Sequence, residues 1–255
     1  MPTDVALRSG AAIERTFLSV QARARGEAFF SAGMLAREAD GSVPWSDAPG
    51  QAARIRTDLA RNLSSVGMGL EHVVAADVHL VPSADVVGEQ AKGLAEVLGI
   101  ERAAVRAFVV AALNRPEYLV EVAVIGDRMT DDVAVHNAHA VVPVGVAGRW
   151  AGDVLHLAGH CDGLGPDIDL PTRYEAVLRS VLATLDAAGL GPTDLVQTTT
   201  HLLTPPTAEE LAAVGDIRRR LLDAELTPAG TMVTVTAIPC PDSGVQLYGT
   251  AMRHP

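Results

Sequence analysis

The chain is poor in the residues that would mark several functional classes at once. Aromatics make up only 4% of 255 residues, with two tryptophans, three tyrosines and four phenylalanines. A core must therefore be assembled from Val, Leu and Ala. Cysteine is nearly absent, at two residues, Cys161 and Cys240, with no CxxC and no metal-ligand spacing. That excludes a disulfide-rich scaffold and a zinc ribbon, and a reduced, cytoplasmic protein is the expectation. Positive charge is scarce too: 20 Lys and Arg stand against 31 Asp and Glu, a formal charge of −11. The densest basic run, Arg218-Arg219-Arg220, reads as a solvated helix face. Nucleic-acid grooves and anionic membranes both need clustered cations, so neither is an expected partner. No apolar run approaches the roughly 20 residues needed to cross a bilayer. The N-terminal residues carry Asp4, Arg8, Glu14 and Arg15 and read as no signal peptide. No Gly-rich phosphate loop, Walker pattern or GxGxxG unit occurs.

What the chain does have is hydrophobic content, at 48% with a mean hydropathy of +0.22, and a long internal repeat. In the first half an apolar segment ends Phe29-Phe30-Ser31-Ala32-Gly33. A helical pattern follows over 51–66, with Ala52, Ile55, Leu59 and Leu63 on one face. Gly67 closes it, where a left-handed residue is needed. A strand over 73–81, a helix over 83–98 and strands over 104–113 and 118–125 complete the half. The second half repeats the order: Leu155–Gly159, a helix over 172–188 entered through Thr172, Gly189, a strand over 195–203, a helix capped by Thr207 and Glu210, and strands over 232–238 and 244–251. Gly33 matches Gly159, Gly67 matches Gly189, Arg106 matches Gly230 and Glu121 matches Gln246, at offsets of 126, 122, 124 and 125. The spacing predicts an N-terminal domain over 1–126, a linker over 127–140 and a C-terminal domain over 141–255.

Two charged residues interrupt apolar strands. Arg106 opens Arg-Ala-Phe-Val-Val, and Glu121 lies in Leu-Val-Glu-Val-Ala-Val. An arginine in such a setting is costly unless paired. Its planar fork suits a carboxylate ligand, or it snorkels to water or pairs with an acidic neighbour. Strand alternation allows Glu121 to face either way. His156, His160 and Cys161 look like metal ligands, but strand positions four apart lie roughly 13 Å from each other, too far to share an ion. No metal is expected. Cys240 would be a nucleophile only with a base such as His160 beside it.

The element order and the stretches Ser31-Ala32-Gly33, Leu157-Ala158-Gly159, Leu182–Leu203, Val105–Val110 and Tyr118–Val124 resemble the Rid/YjgF family of imine and enamine deaminases, over 17–253. The resemblance implies an α+β chain of two tandem Rid/YjgF-like (chorismate-mutase-like) domains, each an antiparallel mixed sheet with two helices on one face. It further implies association of such domains around a barrel of sheets, with sites in the clefts between neighbours. On that resemblance Arg106 and Glu121 would be catalytic, anchoring a substrate carboxylate and holding water. Ser19, Phe30, Gly33 and Arg106 would line the substrate, with no cofactor. Ser19 stands where many members have a tyrosine, and Gly88 or Glu89 where they have an asparagine. The second copy, with Gly230 and Gln246, is degenerate; Gly159, His160 and Cys240 are its cleft candidates. The implied partner is a small carboxylate-bearing metabolite, and the implied assembly a homo-oligomer, with a trimer favoured. Two other functions stay open: a chorismatase-like hydrolase or lyase of specialised metabolism, and a non-catalytic metabolite-binding or assembly protein.

Overall fold

A computed structural model describes residues 4–7, 21–81, 87–129, 133–142, 145–165, 167–222, 228–240 and 242–253. The first half contains strands β1 (Asp4–Leu7), β2 (Ala22–Arg25), β3 (Ala28–Ser31) and β4 (Met34–Leu35). Helix α1 (Ala48–Ser64), β5 (Val73–Leu80), α2 (Val87–Leu98), β6 (Ala104–Val109) and β7 (Val120–Asp127) follow. The second half contains β8 (Ala134–Val135), β9 (Gly148–Ala151), β10 (Val154–Leu157) and β11 (His160–Cys161), then α3 (Leu170–Ala187), β12 (Leu195–Leu202), α4 (Ala208–Leu221), β13 (Ala229–Thr234) and β14 (Val245–Met252).

The sheets are duplicates. One runs β1-β2-β3-β7-β5-β6 with β4 also on β7; the other runs β8-β9-β10-β14-β12-β13 with β11 also on β14. Among the described strands only β5–β6 and β12–β13 are parallel pairs. Each connection between parallel partners carries a helix, as that geometry requires. Both sheets bear a register shift at the same place, between Val73 and Ala75 and between Leu195 and Gln197. Strand β8 falls inside the segment read as linker and pairs with β9.

Each half has its own core on the helix-bearing face. Val120, Val122 and Val124 of β7 join Ile55, Leu59 and Leu63 of α1. Val245, Leu247 and Ala251 of β14 join Tyr174, Val177 and Leu178 of α3. The helices start where side chains can satisfy their first N–H groups. Asp47 caps α1 through Gly50 N–H and Asp169 caps α3 through Thr172 N–H. Asp169 therefore takes the capping place expected of Thr172, and α3 starts two residues earlier. Thr207 and Glu210 form the reciprocal box at α4. Gly67 and Gly189 adopt φ of +75° and +74° after α1 and α3, closing the helices as their sequence positions suggest.

The cysteine reading is corrected here. Cys161 on β11 and Cys240, 79 residues apart, are joined in a disulfide. The two halves also differ in one margin: β6 is buried along most of its length, whereas its counterpart β13 is exposed along nearly all of it.

Candidate functional site at the seam between the two sheets

Strand alternation sends one set of side chains to the helix-covered core and the other to the opposite face. On that opposite face lie Asp77 and His79 of β5, Arg106 and Phe108 of β6, and Glu121 of β7. Their sequence neighbours Ala76, Val78, Val105, Ala107, Val120 and Val122 are in the first core. The second domain covers part of this face. Gly159 N–H donates to Val105 O at 3.2 Å, and Thr236 Oγ1 to Val109 O at 3.3 Å. The buried Arg149 reaches across to the carbonyls of Val73 and Glu71. An aromatic cluster fills the seam. Phe108 meets His79 at 4.9 Å, His201 at 5.0 Å and Tyr248 at 5.4 Å between ring centres.

Arg106 is neither loose in water nor sealed off. Its side chain is 14% exposed and its Nε lies 2.5 Å from Asp77 Oδ1, the carboxylate directly opposite it in the parallel register. The guanidinium also sits 5.3 Å above the Tyr248 ring of the second domain, a cation–π contact. Asp77 is thus the acidic neighbour that the apolar strand demands. Burial pushes its carboxyl upward from the ordinary range, opposed by the charges of Arg106 and His79. Across the seam, burial holds His156 down to about 4, with Arg106 adding to the effect. His201 is likewise lowered to about 4 by burial, against a hydrogen bond with Gln246. Both imidazoles are neutral near pH 7.

Glu121 lies opposite His79 on one side and Leu35 on the other. Gly33 makes room for it: a Cβ there would fall 2.6 Å from the Glu121 carboxyl carbon. The second domain repeats the device, with Gly159 against Gln246 at 3.0 Å. Arg106 and Glu121 share a face but not a contact. Strand β5 runs between them, which sets their strands roughly 10 Å apart, and Asp77 and His79 occupy the interval. Phe30, on β3, is 49% exposed and pairs in register with Ile125. Ser19 lies outside the described residues, as do the side chains at 88 and 89.

The strand register changes one match between the halves. Asp77 pairs with Arg106 and its counterpart Thr199 pairs with Thr231, so Thr231, one residue beyond Gly230, stands in the place of Arg106. The three second-domain candidates lie close together, Gly159 and His160 being consecutive and Cys240 bonded to Cys161 next to them, but they form no reactive pair. Gly159 is at the seam. His160 is fully buried, with Nδ1 3.0 Å from Ser180 Oγ of α3 and Nε2 3.2 Å from Ala147 O, and burial lowers it to about 4. Cys240 has its sulfur bonded to Cys161, so it offers no thiolate, and the nucleophile reading is corrected. Among the described residues, no three His, Cys, Asp or Glu side chains are grouped to hold a metal ion, and no helix is long and apolar enough to cross a membrane. Sequence reasoning missed Asp77, His79 and Tyr248. The available signal was the alternation Asp77-Val78-His79, which puts two ionisable groups on one face of an apolar strand.

No protein-family model and no curated protein matches the chain. Solved structures do. Rv2704 of Mycobacterium tuberculosis, described as a YjgF/YER057c/UK114 family member, is 19% identical with a TM-score of 0.42, over 49% of this chain and 98% of its own. E. coli TdcF with bound serine is 21% identical with a TM-score of 0.40, over 48% and 99%. The E. coli YjgF gene product is 22% identical, also at 0.40, over 48% and 99%. This chain is similar to YjgF- and Rid-family structures, and its two halves are tandem α+β domains of one strand and helix order.

Proposed function

We propose that the seam beside Arg106 and Glu121 hydrolyses small 2-imino or enamine carboxylic acids and releases ammonia. One observation carries the reading: a guanidinium and a carboxylate project from the same face of one sheet, with a glycine clearing the space around the carboxylate. The two Nη groups of Arg106 would hold the substrate carboxylate. Glu121 would orient water toward the C=N carbon and stabilise the iminium charge. Water adds to give a carbinolamine; its collapse expels ammonia and leaves a 2-keto acid. No residue of the chain is consumed. The working assembly in this reading is a homo-oligomer, a trimer for preference.

The test is ammonia release from freshly generated 2-aminoacrylate. The expected result is turnover by the wild type and loss of about 100-fold or more in Arg106→Ala and in Glu121→Gln. A folded wild type with no turnover above the uncatalysed rate refutes the proposal. So does full activity in Arg106→Ala.

A second reading is favoured by one contact. Asp77 already neutralises Arg106, which is what a non-catalytic metabolite-binding seam would show. In that case Asp77→Asn strengthens binding of 2-ketobutyrate, read by calorimetry, and no variant yields turnover.

A further inference from the structure

We propose that the second domain holds a binding site for a small aromatic amine, in a cavity beside two positions whose counterparts in the first domain are aromatic. The cavity measures about 510 Å³, within the roughly 300–1,000 Å³ of small-molecule sites. It lies between the start of α3, the end of β12, the first turn of α4 and residues 236–238, 240 and 242–244. It contains neither Arg106 nor Glu121, although Thr236 of its lining donates to Val109 O at the seam.

Comparison of the halves explains its existence. Tyr118 precedes β7 by two residues and is buried, with Arg115 5.5 Å from its ring centre. The residue two before β14 is Ser243, and Cys240 stands where Arg115 does. Both line the cavity. Trp45, three residues before α1, packs against the first core; the residue three before α3 is the exposed Asp167. Two rings present in one copy are thus missing from the other.

The surrounding frame is kept and even stiffened. In the first copy Gln51 ties the segment together through Trp45 O, Glu117 O and Leu119 N–H. In the second, Arg173 does the same work through Asp162 and the carbonyls of Ile168, Gly165 and Asp242. Asp162 in turn accepts from Gly244 and Val245 N–H, and the disulfide pins Cys240 to β11. A cavity in a cross-braced wall stays open without a ligand.

The lining selects the occupant. Leu170, Leu202, Ile238 and the disulfide-bonded Cys240 are the part of the lining that suits an aromatic ring. The lining also carries the hydroxyls of Thr204 and Thr236, the latter donating to Val109 O, and the carboxylates of Glu210 and Asp169. Among the described residues the one cation in the lining, Arg173, is committed to Asp162, so a ligand carboxylate would enter unpaired beside acidic groups. An ammonium would not.

The test uses the full, oxidised chain and two probes with the same phenol ring: tyramine and 3-(4-hydroxyphenyl)propionate. Saturation-transfer NMR and calorimetry are expected to show tyramine binding at least about tenfold more tightly, a difference of about 1.4 kcal/mol. Ser243→Tyr restores the first-copy ring and is expected to weaken tyramine at least about tenfold while keeping a cooperative melt. Ser243→Ala keeps binding. If Ser243→Tyr does not fold, Leu203→Trp at the mouth serves in its place. Equal affinity for both probes overturns the proposal. So does unchanged tyramine binding in the filled variant, or no tyramine binding at all.

Discussion

His160 allows the cost of burying a titratable group to be measured in isolation. Its ring is wholly buried, with Ser180 and Ala147 as its hydrogen-bond partners. Neither is charged, so nothing nearby compensates a proton. Burial lowers its pKa from 6.5 to about 4, with the Ala147 carbonyl opposing. The unfolded chain therefore takes up a proton between these values while the folded chain does not. Its stability contribution is complete above pH 6.5 and is lost as pH falls towards 4. The full loss is about 3 kcal/mol, and about 2 kcal/mol is gone at pH 5. In His160→Gln the amide still reaches Ser180 and Ala147 but cannot titrate. Urea melts at pH 7 and pH 5 should show the wild type losing about 2 kcal/mol more than the variant across that step. In thermal melts this is about 4–8 °C for a chain of this size. His156 and His201 act in the same direction, but they are present in both proteins and cancel. Parallel pH dependence of the two would refute the argument. A wild type that loses less than the variant would reverse its sign.

Four further outcomes follow from the same structure. Asp162→Ala strands the Arg173 guanidinium and the backbone N–H groups of Leu164, Gly244 and Val245, and should cost about 3–5 kcal/mol in denaturant melts; a loss below about 1 kcal/mol would show the network to be dispensable. Gly159→Ala should destabilise by about 1–3 kcal/mol because Gln246 is fully buried and has nowhere to move. Gly33→Ala should melt nearly as wild type, because Glu121 can swing outward, but should lower any imine hydrolysis sharply; equal melting of the two variants would contradict this. Reduction of the Cys161–Cys240 bond releases a loop of 79 residues and should lower stability by about 4 kcal/mol, read as a shift in urea midpoint with and without a thiol reductant.

The repeat was legible because it is written in local chemistry. Gly67 and Gly189 must be glycine after a helix, and Thr207 with Glu210 caps one whatever surrounds it. Elements that depend on long-range pairing were harder. Strand β13 starts at Ala229, before the apolar run that suggested 232, because β12 pairs with it from there. The same register moves the counterpart of Arg106 to Thr231, since a constant offset cannot follow a shift inside a loop. Arg106 and Glu121 stood out as charges in apolar strands. Asp77 did not, although it decides what Arg106 can do, because cross-strand partners 29 residues apart leave no local trace. The disulfide was invisible for the same reason, and the cavity because it consists of side chains that are missing.

The unequal fates of β6 and β13 carry a last consequence. Strand β6 is roofed by the second domain, while β13 offers the same outline with Val233 bare, and Phe30 of the first domain is bare as well. A molecule built from two copies of one unit, mated on a single side, has a beginning and an end. Any chain of such molecules would have a direction, like bricks that interlock only one way.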